Sequence, residues 1–400
     1  MNTERYFLHL VTFDTQSNED SKSVPSTPGQ KVLATELVRM LKEIGVENAY
    51  TDANGYVYAK LPATDGVCVP AIGFVAHMDT SPDCSGKDVL ARVIPEYDGK
   101  EILLNAEKQI VSPAKPQHKG KRLIVTDGTT LLGADNRAGV AEILTMAEEL
   151  LNSGKPHGEV DICFTPDEEI GRGTDHFDTE AFAAKLAYTV DGSACSDLEF
   201  ENFNAASADV TVHGLNTHPG GAKGKMKNAM RIAMEFHGLL PANEIPEATC
   251  GYEGFAHLNS MQGTVEEAKL HYIIRDHDRE KLERRKERFR SNERFLNEKY
   301  GEETVEVELT DTYSNMKEMI LPHFELIEWA EAAMREVGVE PVRLPIRGGT
   351  DGAMLSYMGI PCPNLGTGGY EFHSRLEYAV VDEMEAVVRI LLNIVEKVQG

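Results

Sequence analysis

Apolar side chains recur at helical spacing between residues 28 and 45, with Leu33, Leu37, Leu41 and Ile44 on one face. Pro28 suits the first turn and Gly45 the stop, so the pattern predicts a helix there. Asn54-Gly55 marks a tight turn, followed by an alternating strand through Val57, Ala59 and Leu61. Residues 71–76 (AIGFVA) are apolar without alternation. That suits a strand buried on both faces, with His77 emerging at its C-terminal end. Further strands are expected at 123–125, 160–164 and 187–190. A helix over 136–151 turns Val140, Ile143, Leu144, Ala147 and Leu151 inward.

Near residue 206 the pattern changes. A strand over 208–212 is followed by a helix over 225–240, then by strands over 254–264 and 267–275. A charge-rich helix over 279–300 and a strand over 305–309 complete the order β-α-β-β-α-β, the split βαβ pattern of a ferredoxin-like sandwich. Alternation then resumes with a helix over 318–337, a strand over 342–346 and a closing helix over 382–397. The expected fold class is therefore α/β with an inserted α+β domain at about 206–312.

Composition narrows the partners. In 400 residues, 65 Asp and Glu face 40 Lys and Arg, a formal net charge of -25. Such a chain repels nucleic acid and anionic membranes, and its field can attract a cationic ligand such as a free peptide amine; the plainer role of acidic surface is solubility. The six cysteines, Cys68, Cys84, Cys163, Cys195, Cys250 and Cys362, form no CxxC pair. Scattered thiols in a long chain read as reduced. The N-terminal residues lack a signal-peptide pattern, and no apolar run reaches the roughly 18 residues of a membrane helix. The expected location is cytoplasmic.

Candidate chemistry gathers at strand ends. In Ala76-His77-Met78-Asp79, positions i and i+2 share a face of extended backbone, so Asp79 can orient a ligating His77; alternatively the pair is a surface His beside an acid. Asp135 stands where a loop meets a helix, as an N-cap or a ligand. Asp167-Glu168-Glu169 follows the 160–164 strand. Three clustered acids are costly without cations, and adjacent carboxylates can divide metal binding from proton transfer; a surface loop is the alternative. Asp191 follows another strand, and His373 lies in Glu371-Phe372-His373-Ser374. The segment 347–352 (RGGTDG) lacks the Lys-Ser/Thr of a phosphate-binding loop. Open α/β sheets place ligands at such strand ends. Two His and three carboxylates without sulfur suit zinc, cobalt or manganese, and five ligands for two metals require one bridging carboxylate.

These motifs, with Asn216-Thr217-His218-Pro219-Gly220, resemble the di-zinc exopeptidases that pair a catalytic domain with a ferredoxin-like lid. The resemblance spans essentially the whole chain. The stretch from His218 through Lys223-Gly224-Lys225-Met226 and the Gly-Gly-Thr-Asp-Gly segment are similar to the tripeptide aminopeptidases among them. It implies a catalytic domain of 1–205 and 313–400 with a lid of 206–312. It implies two zinc ions per subunit, with Co2+ or Mn2+ as substitutes: His77 and Asp191 on one, Glu169 and His373 on the other, and Asp135 bridging. Asp79 would orient His77, and Glu168 would be the general base. His218 would meet the scissile carbonyl, the alternative being a capped loop histidine. Arg275 and Arg347 would hold the substrate carboxylate, the alternative being ordinary surface ion pairs. The implied substrates are short peptides with a free N-terminus, and some relatives form a homodimer through the lid. Dipeptidases, deacylases and carboxypeptidases share the ligand set, and a catalytically silent peptide binder or a metal-free acidic surface are further alternatives.

Overall fold

A computed structural model describes residues 1–107, 110–112 and 114–399. The chain divides into two compact units: Met1–Phe200 with Met316–Leu344 and Thr350–Gly400, and Glu201–Asn315 with Pro345–Gly349.

The first unit is built on a mixed eight-stranded sheet. Ile72–His77 is paired in parallel with Val160–Thr165 on one side and with Leu186–Gly192 on the other; Asn364–Gly366 extends the parallel core beyond Leu186–Gly192. Val57–Leu61 and Asp197–Glu201 are antiparallel additions. Every residue of Ile72–His77 and of Val160–Thr165 is buried, which explains why neither alternates between apolar and polar positions; the one acid inside them, Asp161, accepts from the Ala184 N–H. The helix Ala134–Ser153 packs on Ile72–His77 and Leu186–Gly192 and against the closing helix Val381–Lys397. Gly139 permits the closest approach: a Cβ there would lie 2.0 Å from the carbonyl oxygen of Val190. That contact brings the start of the helix beside the strand carrying Asp191. A small antiparallel sheet joins Gly369–Tyr370, Tyr378–Val380, Leu123–Val125 and Arg92–Ile94.

The second unit is a four-stranded antiparallel sheet in the order Phe255–Gly263, Glu267–Asp276, Asn204–His213, Val305–Tyr313. Glu267–Asp276 alternates strictly between buried and more exposed positions, because only one face is covered. The helices Ala229–Gly238 and Arg279–Tyr300 supply the cover, burying Ile232, Phe236, Leu282, Phe289 and Leu296 against Val210, Leu270, Tyr272 and Ile274. The element order is the ferredoxin-like one.

Several elements differ from the sequence reading. The expected helix over 225–240 begins only at Ala229, because the Asn228 side chain caps it by accepting from the Arg231 N–H. The expected helix over 318–337 is broken at Pro322 into Lys317–Ile320, a 3-10 turn Leu321–His323 and Glu325–Glu336. The segment Pro345–Gly349 groups with the second unit, whereas the sequence reading left it in the second catalytic part.

Candidate metal centre

The site lies wholly within the first unit. His77 ends its strand, and its Nε2 stands 2.8 Å from Asp135 Oδ1 and 3.3 Å from Asp191 Oδ1. His373 occupies the turn between Gly369–Tyr370 and Tyr378–Val380, with a φ of 58°. Its Nε2 stands 2.8 Å from Glu169 Oε2 and 3.3 Å from Asp135 Oδ2. Asp135 thus turns one oxygen to each imidazole. Two donor sets, His77 with Asp135 and Glu169, and His77 with Glu168 and Asp191, each bring their ligand atoms within 4.8 Å of one another. All five expected ligands and Glu168 therefore converge. Because His77 Nδ1 faces Asp79 at 3.3 Å, its single inward nitrogen cannot serve two ions, while the two-oxygen Asp135 can.

Asp79 is completely buried and does more than flank His77. Its Oδ1 accepts from the Glu168 N–H at 3.0 Å and its Oδ2 from the Glu169 N–H at 3.1 Å. The third acid of the triplet, Asp167, has a different task. Buried at a φ of 57°, it accepts from the Ser26 N–H at 2.7 Å and from Gln30 Nε2 at 2.6 Å, pinning the turn that presents Glu168 and Glu169.

Electrostatics mark a site short of positive charge. Burial holds the Glu168 carboxyl well above the usual carboxylate range. Burial, reinforced by the charge of Asp135, pushes Glu169 up to about 8, and burial brings Asp191 to about 6. Hydrogen bonds to Asp135 and Glu169 push His373 up to about 11. For His77, burial opposes the charged form but Asp191 and Asp135 outweigh it, so its value is raised. Burial likewise opposes ionisation of Asp135, yet the two imidazoles hold it below the usual range. Glu169 Oε1 is buried with no hydrogen-bond partner. Crowded, desolvated carboxylates with an orphaned oxygen and an all-nitrogen-and-oxygen donor set fit a pair of divalent cations.

Sequence reasoning missed three carboxylates around this centre. Asp83 Oδ2 stands 3.2 Å from His373 Nδ1, repeating the Asp79–His77 relationship; its place in the 77–83 segment was the available signal. Glu377 is buried and accepts from the N–H groups of Leu132, Gly133 and Asp135. Asp351 is buried and accepts from Thr165 Oγ1 at 2.7 Å, with burial raising its carboxyl to about 7.

The three expected substrate residues all lie in the second unit. His218 is exposed, and its Nδ1 accepts from the Gly220 N–H at 3.1 Å, the capped-loop geometry. Arg275 donates to the carbonyls of Ala206 and Ile274 and lies 5.2 Å from the Tyr313 ring centroid. Arg347 donates to the carbonyls of Gly251 and Glu253 at 2.7 and 2.8 Å and lies over Phe203 and Phe255. Neither arginine forms a surface ion pair among the described residues; both are tied to backbone and aromatic faces.

Two imidazoles sharing one carboxylate beside a mixed α/β sheet, in one chain with an α+β sandwich, place the protein in the class of metal-dependent hydrolases. Residues 200–304 match the family model described as a peptidase dimerisation domain. The chain is 54% identical over 396 residues to a peptidase T from Clostridium novyi, covering 98% of this chain and 97% of that one. Its fold is that of the aminopeptidase PepT from Bacillus cereus (TM-score 0.79, 23% identity, 100% of this chain and 98% of that one). A tripeptidase from Staphylococcus aureus also shares it (TM-score 0.79, 20% identity, 100% and 98%). The chain belongs to the peptidase T family.

Proposed function

We propose that this protein is a metal-dependent aminopeptidase that releases the N-terminal residue from tripeptides. The observation that carries this reading is the Asp135 carboxylate set between His77 and His373 in a chain of this family. His77 and Asp191 would hold one ion, Glu169 and His373 the other, and Asp135 both. The donor set favours zinc, with cobalt or manganese as substitutes. Such a pair, when bound, supplies Lewis acidity to a carbonyl oxygen and lowers the pKa of a water.

The chain's own residues then divide the work. Glu168 takes a proton from the attacking water as the new C–O bond forms. It returns that proton to the departing amine nitrogen as the C–N bond breaks. Asp79 keeps His77 in one orientation and holds the backbone of Glu168 and Glu169 in place. In a neutral His218 ring, the Gly220 contact on Nδ1 leaves the proton on Nε2, a donor suited to a substrate oxygen. Arg275 and Arg347 are candidates for the peptide carboxylate. The net charge of -25 favours a substrate with a free ammonium group.

Further parts of the reading are a homodimer formed through the second unit, whose sequence matches a dimerisation domain, and a cytoplasmic location. Among the described residues no helix is long and apolar enough to cross a membrane. The test is to compare a free tripeptide with its N-acetylated form under metal-replete conditions. Hydrolysis of the free peptide alone is expected. Turnover of the acetylated form at a comparable rate would replace this reading with an N-acyl amidohydrolase.

A further inference from the structure

A helix start leaves its first N–H groups without intrahelical partners. At Ala134–Ser153 Asp135 and Asn136 have non-helical φ/ψ, and the Asn136 side chain caps the regular helix by accepting from the Gly139 N–H at 3.2 Å. The turn before it runs through Gly133, in the left-handed region at a φ of 82°, and its N–H groups are left for partners outside the helix. The nearest acid, Asp135, turns its carboxylate to the two imidazoles instead. The sequence offered Asp135 as a cap or a ligand; the cap is its neighbour Asn136.

The partner of the turn's N–H groups arrives from 242 residues away. Glu377 Oε2 accepts from the N–H groups of Leu132 and Gly133, each at 2.7 Å, and Oε1 accepts from the Asp135 N–H at 3.0 Å. The side chain is buried, so water does not substitute for it. Glu377 also lies on the turn segment that carries His373, just before Tyr378–Val380. That strand is paired with Leu123–Val125, and Thr126 Oγ1 donates to the Arg375 carbonyl. The support for the shared carboxylate thus comes from a braced element that also supplies a donor.

We propose that Glu377 is a positioning residue: it clamps the backbone of the turn that carries Asp135, so that the Asp135 carboxylate is set to hold both metal ions. This rests on the reading of Asp135 as the shared ligand. Its distinct consequence is that a residue touching neither ion governs the affinity for both.

The experiment titrates metal-stripped full-length protein with Zn2+ against a chromophoric chelator, comparing wild type, Glu377→Gln and His373→Ala. The Gln amide keeps one accepting oxygen and turns an NH2 group toward the remaining N–H donors. Loss of about 10–100-fold in affinity for both ions is expected in Glu377→Gln. His373→Ala should weaken chiefly one. Melting of each metal-free protein is measured in parallel. If metal-free Glu377→Gln does not fold, Glu377→Asp keeps the charge and withdraws it by one methylene, and its affinity decides by the same criterion. Two ions bound with wild-type affinity would overturn the proposal. So would a lower melting temperature with unchanged affinity per folded molecule, which is a purely structural role. Failure of wild type to bind a second ion would instead remove the dinuclear reading itself.

Discussion

The carboxylate of Asp79 accepts the backbone N–H of Glu168 at 3.0 Å, so the residue that orients His77 also fixes the residue cast as general base. With Glu169 held by the other oxygen, one buried side chain sets three functional groups. Asp79→Asn replaces one acceptor by a donor that opposes a backbone N–H. Metal affinity should fall by about 10–100-fold, and kcat should remain reduced even at saturating metal. Equilibrium metal titration and kcat measured against metal concentration check this. Full kcat at high metal would confine Asp79 to His77 alone.

Glu168 is within reach of His77 and Asp191 as well as being the candidate base. The two roles separate on substitution. As a base, Glu168→Gln should lose roughly 10²–10⁴-fold in kcat while both ions stay bound. Metal analysis of the purified variant beside its kcat makes the distinction; loss of one ion would make Glu168 a ligand.

Glu142, in the helix Ala134–Ser153, is a second kind of buried acid. Both its oxygens lack a hydrogen-bond partner, and burial raises its pKa well above the usual range. A folded-state value above the unfolded one means the native state holds the proton longer. Its contribution is therefore most favourable below the unfolded carboxylate range and declines as pH rises above it. Glu142→Gln should remove that decline. The variant should gain stability relative to wild type between pH 5 and pH 8. Thermal melts at the two pH values test it, and equal differences at both would show that Glu142 does not titrate between the states.

Arg347 satisfies backbone carbonyls of the 249–253 segment and stacks on two phenylalanines within the second unit. Arg347→Ala should destabilise that unit by about 1–3 kcal/mol through unpaired carbonyls and lost aromatic contact. A melt alongside KM distinguishes the roles. A raised KM with an unchanged melting temperature would assign Arg347 to substrate alone.

The centre was legible in part because His77 and the 167–169 acids follow buried strands. His77 after 71–76 and Glu168-Glu169 after 160–164 carry their context beside them. Asp135 was ambiguous, since an acid before a helix can cap it; the cap is Asn136, one residue on, and the distant Glu377 holds the Asp135 backbone. Nothing local sets Glu377 apart from any acid before a strand. Arg347 was misplaced for a related reason: its partners lie about 95 residues away, across a domain boundary the chain recrosses after Leu344. The split βαβ order of the second unit was readable because its strands are long, up to ten residues. The small sheet that braces His373 has strands of two or three residues, too short for any periodicity. Helical spacing over 318–337 concealed the break at Pro322.

The most direct test incubates purified protein with unblocked di-, tri- and tetrapeptides, with and without a chelator, and identifies the released residue by mass. The account predicts release of the N-terminal residue from tripeptides in preference to the others, lost on chelation and restored by zinc or cobalt. Cleavage that survives complete metal removal, or none in metal-replete protein, would contradict it.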